Sequence, residues 1–213
     1  MTLTYKEWIK FGRDPVYPKD FYALSKKEAR EFFRGLMGAI PERMGQLRAL
    51  IHWCRPECTW CADYSDAAFE MLLDTVTKSV ERVPRTPAEI EEIRGGRSEI
   101  MNTINEPIWQ WRVSDRTISI AYDAAIYFGN DLISKESRMI WQLDERKVMS
   151  NHQPIVRAPN PSREPPYLES APLDLFRLYV FRVANNDPHV YTMVETRQFW
   201  LEAIGDYKRN NPE

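Results

Sequence analysis

The sequence predicts an α+β fold, mainly helical, with a small antiparallel sheet formed by the C-terminal half. Three observations lead there. Apolar residues recur at helical spacing along most of the chain, most clearly between Asp115 and Ile133. Two runs rich in β-branched and aromatic residues, 138–143 and 147–156, are joined only by D-E-R-K and read as a hairpin. No strand–helix–strand alternation appears, which excludes a doubly wound sheet or a (β/α) barrel. The 213 residues are read as one domain: a helical segment over 1–113, a central helix plus hairpin over 114–157, a proline-rich loop over 158–172 and closing helices over 173–205.

The elements follow from local signals. Residues 5–11 fit a short helix before the breaker G-R-D-P-V-Y-P. Ser25 and Glu28 form a capping box, in which each side chain satisfies a free amide of the other residue. Ala29, Phe32, Phe33 and Leu36 follow on one face, and Pro41 is read as opening a second helix with Met44, Leu47, Leu50 and Ile51 inward. Residues 54–64 are irregular or hold a short strand. Ser65 or Asp66 starts a helix carrying Phe69, Leu72, Leu73, Val76 and Val80 on one side. Thr86 and Glu89 make another capping box, with Pro87 at the first helical position, and Gly95-Gly96 ends that helix.

Residues 97–113 fit a helix broken by Pro107 or an irregular linker. Asp115 is the expected N-cap of the central helix, whose buried face would be Ile118, Tyr122, Ala125, Ile126, Gly129, Leu132 and Ile133. Ala124, Ala125 and Gly129 are small and permit a neighbour to approach closely. The run A-P-N-P-S-R-E-P-P-Y should wrap the outside, because proline cannot donate to a ladder. Pro172 opens a helix with Leu173, Phe176, Val180, Phe181 and Ala184 inward. Asp187-Pro188 is read as the cap of the last helix, with Val190, Met193, Val194, Leu201 and Ile204 along it, and the tail K-R-N-N-P-E as disordered.

Composition bounds the function. Hydrophobic residues at 43% and charged residues at 28% describe a globular chain rather than a disordered one. A net charge of -2 argues against a general binder of nucleic acid or of anionic membranes. The first ten residues carry charges with no apolar run behind them, so no signal peptide is expected. Nothing approaches the roughly 20 apolar residues of a spanning helix. A cytoplasmic protein with its three cysteines reduced is the expectation.

The sharpest chemical pattern is His52, Cys54, Cys58 and Cys61. The C-x3-C-x2-C spacing, with Trp60 before the last cysteine, is similar to the cluster motif of radical S-adenosylmethionine enzymes, and with His52 it has the donors of a zinc site. An amphipathic helix precedes it where those enzymes have a strand, and no second ligand knuckle exists. The cysteines are therefore read as small buried residues of a helix-to-helix connection, and no metal or cofactor is expected. His52, His152 and His189 are scattered, and no G-x-S-x-G elbow accompanies them. Asp123 lies off the apolar stripe of the central helix and is read as a surface or capping carboxylate. Gly95-Gly96 lacks the Lys-Ser/Thr and the strand of a phosphate loop.

The segments D-Y-S-D-A-A-F-E-M-L (63–72), A-Y-D-A-A-I-Y-F-G-N-D-L-I (121–133), R-M-I-W-Q-L (138–143) and Asn151-His152-Gln153-Pro154 together resemble a loosely defined bacterial α+β group found among immunity proteins of polymorphic toxin systems. The likeness runs over roughly the last three quarters of the chain. It implies a protein that acts by binding: a cytoplasmic inhibitor of a cognate protein toxin, with no catalytic residues. Acidic groups that mimic phosphate are one way to plug a toxin's cleft. Glu89, Glu91 and Glu92, the turn residues Asp144 and Glu145, and Tyr167 of the proline loop are the candidate contact residues. A metal or iron–sulfur enzyme using His52, Cys54, Cys58 and Cys61, and a non-catalytic adaptor of a secretion or phage system, stand as alternatives.

Overall fold

One helix organises the molecule, and most of the others are arranged by what they bury against it. The computed structural model describes residue 21 and residues 24–95, 110–146, 152–159, 168–187 and 192–211. In chain order its elements are α1 (Lys26–Cys54), α2 (Asp66–Lys78), β1 (Arg82–Pro84), α3 (Pro87–Gly95), β2 (Trp111–Val113), α4 (Asp115–Lys135), β3 (Ile140–Leu143), β4 (Pro154–Arg157), β5 (Glu169–Ser170), α5 (Pro172–Asn185) and α6 (Met193–Asn210). The mainly helical α+β class holds. The expected helix at 5–11 and most of the proline-rich loop lie outside the described residues.

α4 is the axis. Ser114, not Asp115, caps it, its hydroxyl accepting from the Thr117 amide. From Ser119 to Gly129 every residue is buried, followed by Asp131 and Leu132, while Ile118 and Ile133 are only half-buried. The expected one-sided stripe is thus a helix enclosed on nearly all sides, packed by α1, α2, α5, α6 and β4. Ile120, Ile126, Phe128 and Leu132 are fully buried there. Each such side chain contributes about 1.5–3 kcal/mol of transfer free energy, so α4 belongs to the most strongly held region of the chain.

α1 is one helix of 29 residues, and Pro41 lies inside it. Proline deletes one backbone bond, yet its ring sits on the exposed side while Leu36, Leu47, Leu50 and Ile51 continue one buried register past it. That continuous burial outweighs a local cost of about 3 kcal/mol. The Ser25 capping box forms as read.

The sheets are small and antiparallel. β3 pairs with β4 from Ile140 opposite Arg157 to Leu143 opposite Pro154, and β5 adds Glu169 opposite Arg157. The second strand is shorter and later than the expected 147–156 run, and residues 147–151 are outside the described set. A separate two-stranded sheet, β1 with β2, comes from segments that carry no clear strand signal. Ser79 and Thr117 fix its position, because the Thr117 hydroxyl donates to the Ser79 carbonyl and accepts from the Glu81 amide.

α4 and β3 meet where the helix has no side chain. A Cβ placed on Gly129 would lie closer than 3.0 Å to three atoms of the Trp141 ring. The indole N–H then donates to Asn130 Oδ1 at 3.0 Å. At the C-terminus, Thr192 rather than Asp187 caps the last helix, through a capping box with Glu195. Lys208, Arg209 and Asn210 belong to that helix instead of a disordered tail, and Tyr207 holds its end by donating to the Pro159 carbonyl.

Candidate functional site

The acidic residues expected to form a recognition face separate into those held inside the fold by described partners and those that stand exposed. Glu89 is held. It accepts from the Thr86 amide at 2.8 Å and lies 3.4 Å from the Arg112 guanidinium. The Thr86 amide and hydroxyl, with Arg112 behind them, hold its carboxyl below the usual range. Glu91 and Glu92, on the same helix, are exposed. Glu89 therefore fastens α3 to β2, and its two neighbours face outward.

The hairpin turn departs from expectation. Asp144 is buried, not exposed. It accepts from Arg146 Nε at 2.8 Å and Nη2 at 2.9 Å, and Arg146 Nη2 also reaches Glu169 at 2.6 Å. Its amide and carbonyl bond to Gln153 and His152, closing the hairpin. A carboxylate at this position is drawn inward because it satisfies an arginine that ties the turn to β5. Glu145 stays at the surface, held by Arg30 Nε at 2.6 Å, and that contact lowers its carboxyl below the usual range. Tyr167 lies outside the described residues.

The cysteine segment does not match its reading as a buried connection. Cys54 and Cys61 are exposed and Cys58 is half-buried. His52 is exposed on the last turn of α1. Among the described residues no group of three or more His, Cys, Asp or Glu is placed to hold a metal ion. What the segment buries is Trp60, whose indole donates to the Ala68 carbonyl at 3.0 Å and packs against Tyr127. The aromatic ring anchors the loop, and this leaves the thiols outside.

Asp123 is the largest correction to the sequence reading. It is buried on the α1 side of α4 and binds Arg43 of α1, itself buried, at 2.5 Å. Arg43 Nη2 also donates to the Ser119 hydroxyl at 2.6 Å. Burial pushes the Asp123 carboxyl up to about 7, against the pull of Arg43. Two turns on, fully buried Asp131 meets Arg197 of α6 at 2.6 Å, and Lys135 stands 3.8 Å away. Arg197 also donates to Asp66 and to the Tyr64 carbonyl.

α4 thus carries two internal carboxylates, and an arginine from a different helix grips each one. Between them Tyr127 is enclosed by Trp60, Tyr64 and Phe69, and burial pushes its phenol up. Asp123 and Asp131 are locked to guanidinium groups and buried from solvent, so their role is to position α1 and α6 on α4. His152 takes a left-handed conformation with φ 65° at the hairpin, and His189 is outside the described residues.

Sequence reasoning singles out neither Arg43 nor Arg197. The available signal is a charged residue standing in an apolar register: Leu36, Arg43, Leu47 and Leu50 on α1, and Met193, Arg197 and Ile204 on α6. Among the described residues, Glu91 and Glu92 of α3 stand exposed beside the β1–β2 sheet. There Arg82 lies 4.5 Å over the half-buried Trp111 ring, which stacks on Phe181. No helix among the described residues is long and apolar enough to cross a membrane. Comparison with protein-family models, with curated proteins and with solved structures finds no match to the chain.

Proposed function

We propose that the chain is a binding protein of the immunity type: it recognises a cognate protein toxin in the cytoplasm and blocks its active site. One observation supports this above the others. Glu89 is committed to holding α3 in place, while Glu91 and Glu92 stand exposed on the same fixed helix. Exposed carboxylates on a rigid mount give an anionic surface that competes with a phosphate-bearing substrate for a basic cleft. Arg82 and Trp111 beside the helix add a cationic and an aromatic contact of the kind that anchors interfaces.

The interior is consistent with this division of labour. Its carboxylates Asp123, Asp131, Glu136 and Asp144 each engage an arginine inside the fold. The test is neutralisation in cells. Expression of the chain should restore growth to cells producing the toxin encoded beside it. The charge reversals Glu91→Lys and Glu92→Lys together should abolish rescue while leaving the circular dichroism spectrum unchanged. Rescue that survives the double reversal would remove α3 from the interface, and failure of the unaltered chain to rescue would refute the function itself.

A further inference from the structure

We propose that α6 is a latch: it opens as a unit ahead of global unfolding, and Arg197 is the bolt that keeps it closed. The observation is a guanidinium site filled from within the chain. Arg197 Nε binds Asp131 Oδ2 at 2.6 Å, Nη1 binds Asp66 Oδ1 at 2.5 Å, and Nη2 donates to the Tyr64 carbonyl at 3.0 Å. The guanidinium carbon stands 5.1 Å from the centre of the Phe69 ring. One side chain thus joins α6 to α4, to the start of α2 and to the segment before it.

The rest of the attachment is lighter than that of α4, with Trp200 and Ala203 adding half-buried contact to the core. Besides Arg197, only Met193, Ile204 and Tyr207 of the 18 residues in α6 are buried, against fourteen in α4. At the far end the buried Tyr207 ring is joined by polar contacts, its hydroxyl on Pro159 and Arg138 donating to the Asn211 carbonyl at 2.7 Å. Phe199 and Val194 face solvent. α6 carries its own capping box, so its helical start does not depend on α4.

Opening is also cushioned on the side left behind. Lys135 Nζ lies 3.8 Å from Asp131 Oδ1 and donates to the Tyr64 carbonyl at 3.4 Å, so both groups keep a cation when Arg197 departs. Elements with few buried apolar contacts open at lower free energy than the core they rest on. The surface uncovered would be Tyr64, Phe69 and Asp131, beside the already exposed Asp66: an acidic recess with an aromatic wall.

Hydrogen–deuterium exchange of the full chain tests the latch, read at central amides of α6 (197–206) and of α4 (120–130). In the unaltered protein the α6 amides should exchange faster than those of α4. Arg197→Gln should accelerate α6 by roughly a hundredfold, since a broken buried clamp weakens whatever it held, and α4 should remain the better protected of the two helices. Arg197→Lys, which keeps the charge but lacks the fork to reach three acceptors, should fall between. Equal protection of α6 and α4 in the unaltered protein would overturn the proposal, and this arm stands even where a variant fails to fold. Unchanged exchange of α6 in Arg197→Gln would also overturn it, because the side chain would then not be what holds the helix closed.

Discussion

Glycine means opposite things on α4 and on α1. Gly129 of α4 lies under the Trp141 ring, which occupies the place a side chain would take. Gly35, Gly38 and Gly45 of α1 have nothing within 4 Å of where a Cβ would stand. On α4 the missing side chain is a packing requirement that lets β3 close onto the helix. On α1 it serves no contact among the described residues and weakens the helix. The same contrast holds for charge. Arg43 on the inner face of α1 is buried against Asp123, whereas Arg30, on the same helix, lies at the surface and grips Glu145. Position relative to α4 decides what each residue type contributes.

The contrast breaks most visibly at the clamps. Arg43→Met leaves Asp123 buried without its cation, and a stability loss of about 3–5 kcal/mol in urea unfolding is expected. Arg30→Met breaks only an exposed pair and should leave the urea midpoint close to that of the unaltered protein. Gly129→Ala comes next. The methyl group must displace the Trp141 indole, and overpacking of this kind costs about 1–3 kcal/mol. Its near-ultraviolet circular dichroism should change with it, because a tryptophan has moved.

A smaller effect reads the electrostatics of the Arg43–Asp123 clamp. The folded Asp123 carboxyl is raised to about 7, above an unfolded value of about 3.9. The folded state therefore binds this proton more tightly than the unfolded chain does. The stabilisation from that proton is complete below about pH 4 and is lost as pH rises through about 7. The stability of the unaltered protein relative to Asp123→Asn should fall over that window. Flat or rising relative stability would show that Arg43 dominates over burial. Smallest of all, Ala at Gly35, Gly38 or Gly45 should raise stability by about 0.5–1 kcal/mol each, the reverse of Gly129.

Much of the scaffold is legible in the sequence because it rests on local signals. Ser25 with Glu28 and Thr86 with Glu89 cap helices as their spacing implies. The small residues of α4 do admit a close neighbour, and the Trp141 strand is that neighbour. Pro41 misleads because its local cost is set against long-range burial that one sequence does not display. The β1–β2 sheet escapes notice because three-residue strands carry too little periodicity to register. Asp123 reads as a surface residue because helical spacing shows which residues share a face, and not how many faces are covered. When α4 is surrounded, a carboxylate off the main stripe must go inside, and it then needs an arginine. The candidate recognition residues are legible as acids. Which of them are spent on the fold depends on Arg112, Arg30 and Arg146, brought in by tertiary contact.

α4 is an enclosed axis whose internal charges serve only to seat its neighbours. A double-mutant cycle at Arg43 and Asp123 tests this most directly, with Arg43→Met, Asp123→Leu and both together compared by urea unfolding. Each single change should be strongly destabilising, and the pair should lose far less than the sum, since apolar side chains then meet in a buried site. Losses that simply add would mean the two residues do not depend on each other, and the clamp would play no role in holding α1 to α4.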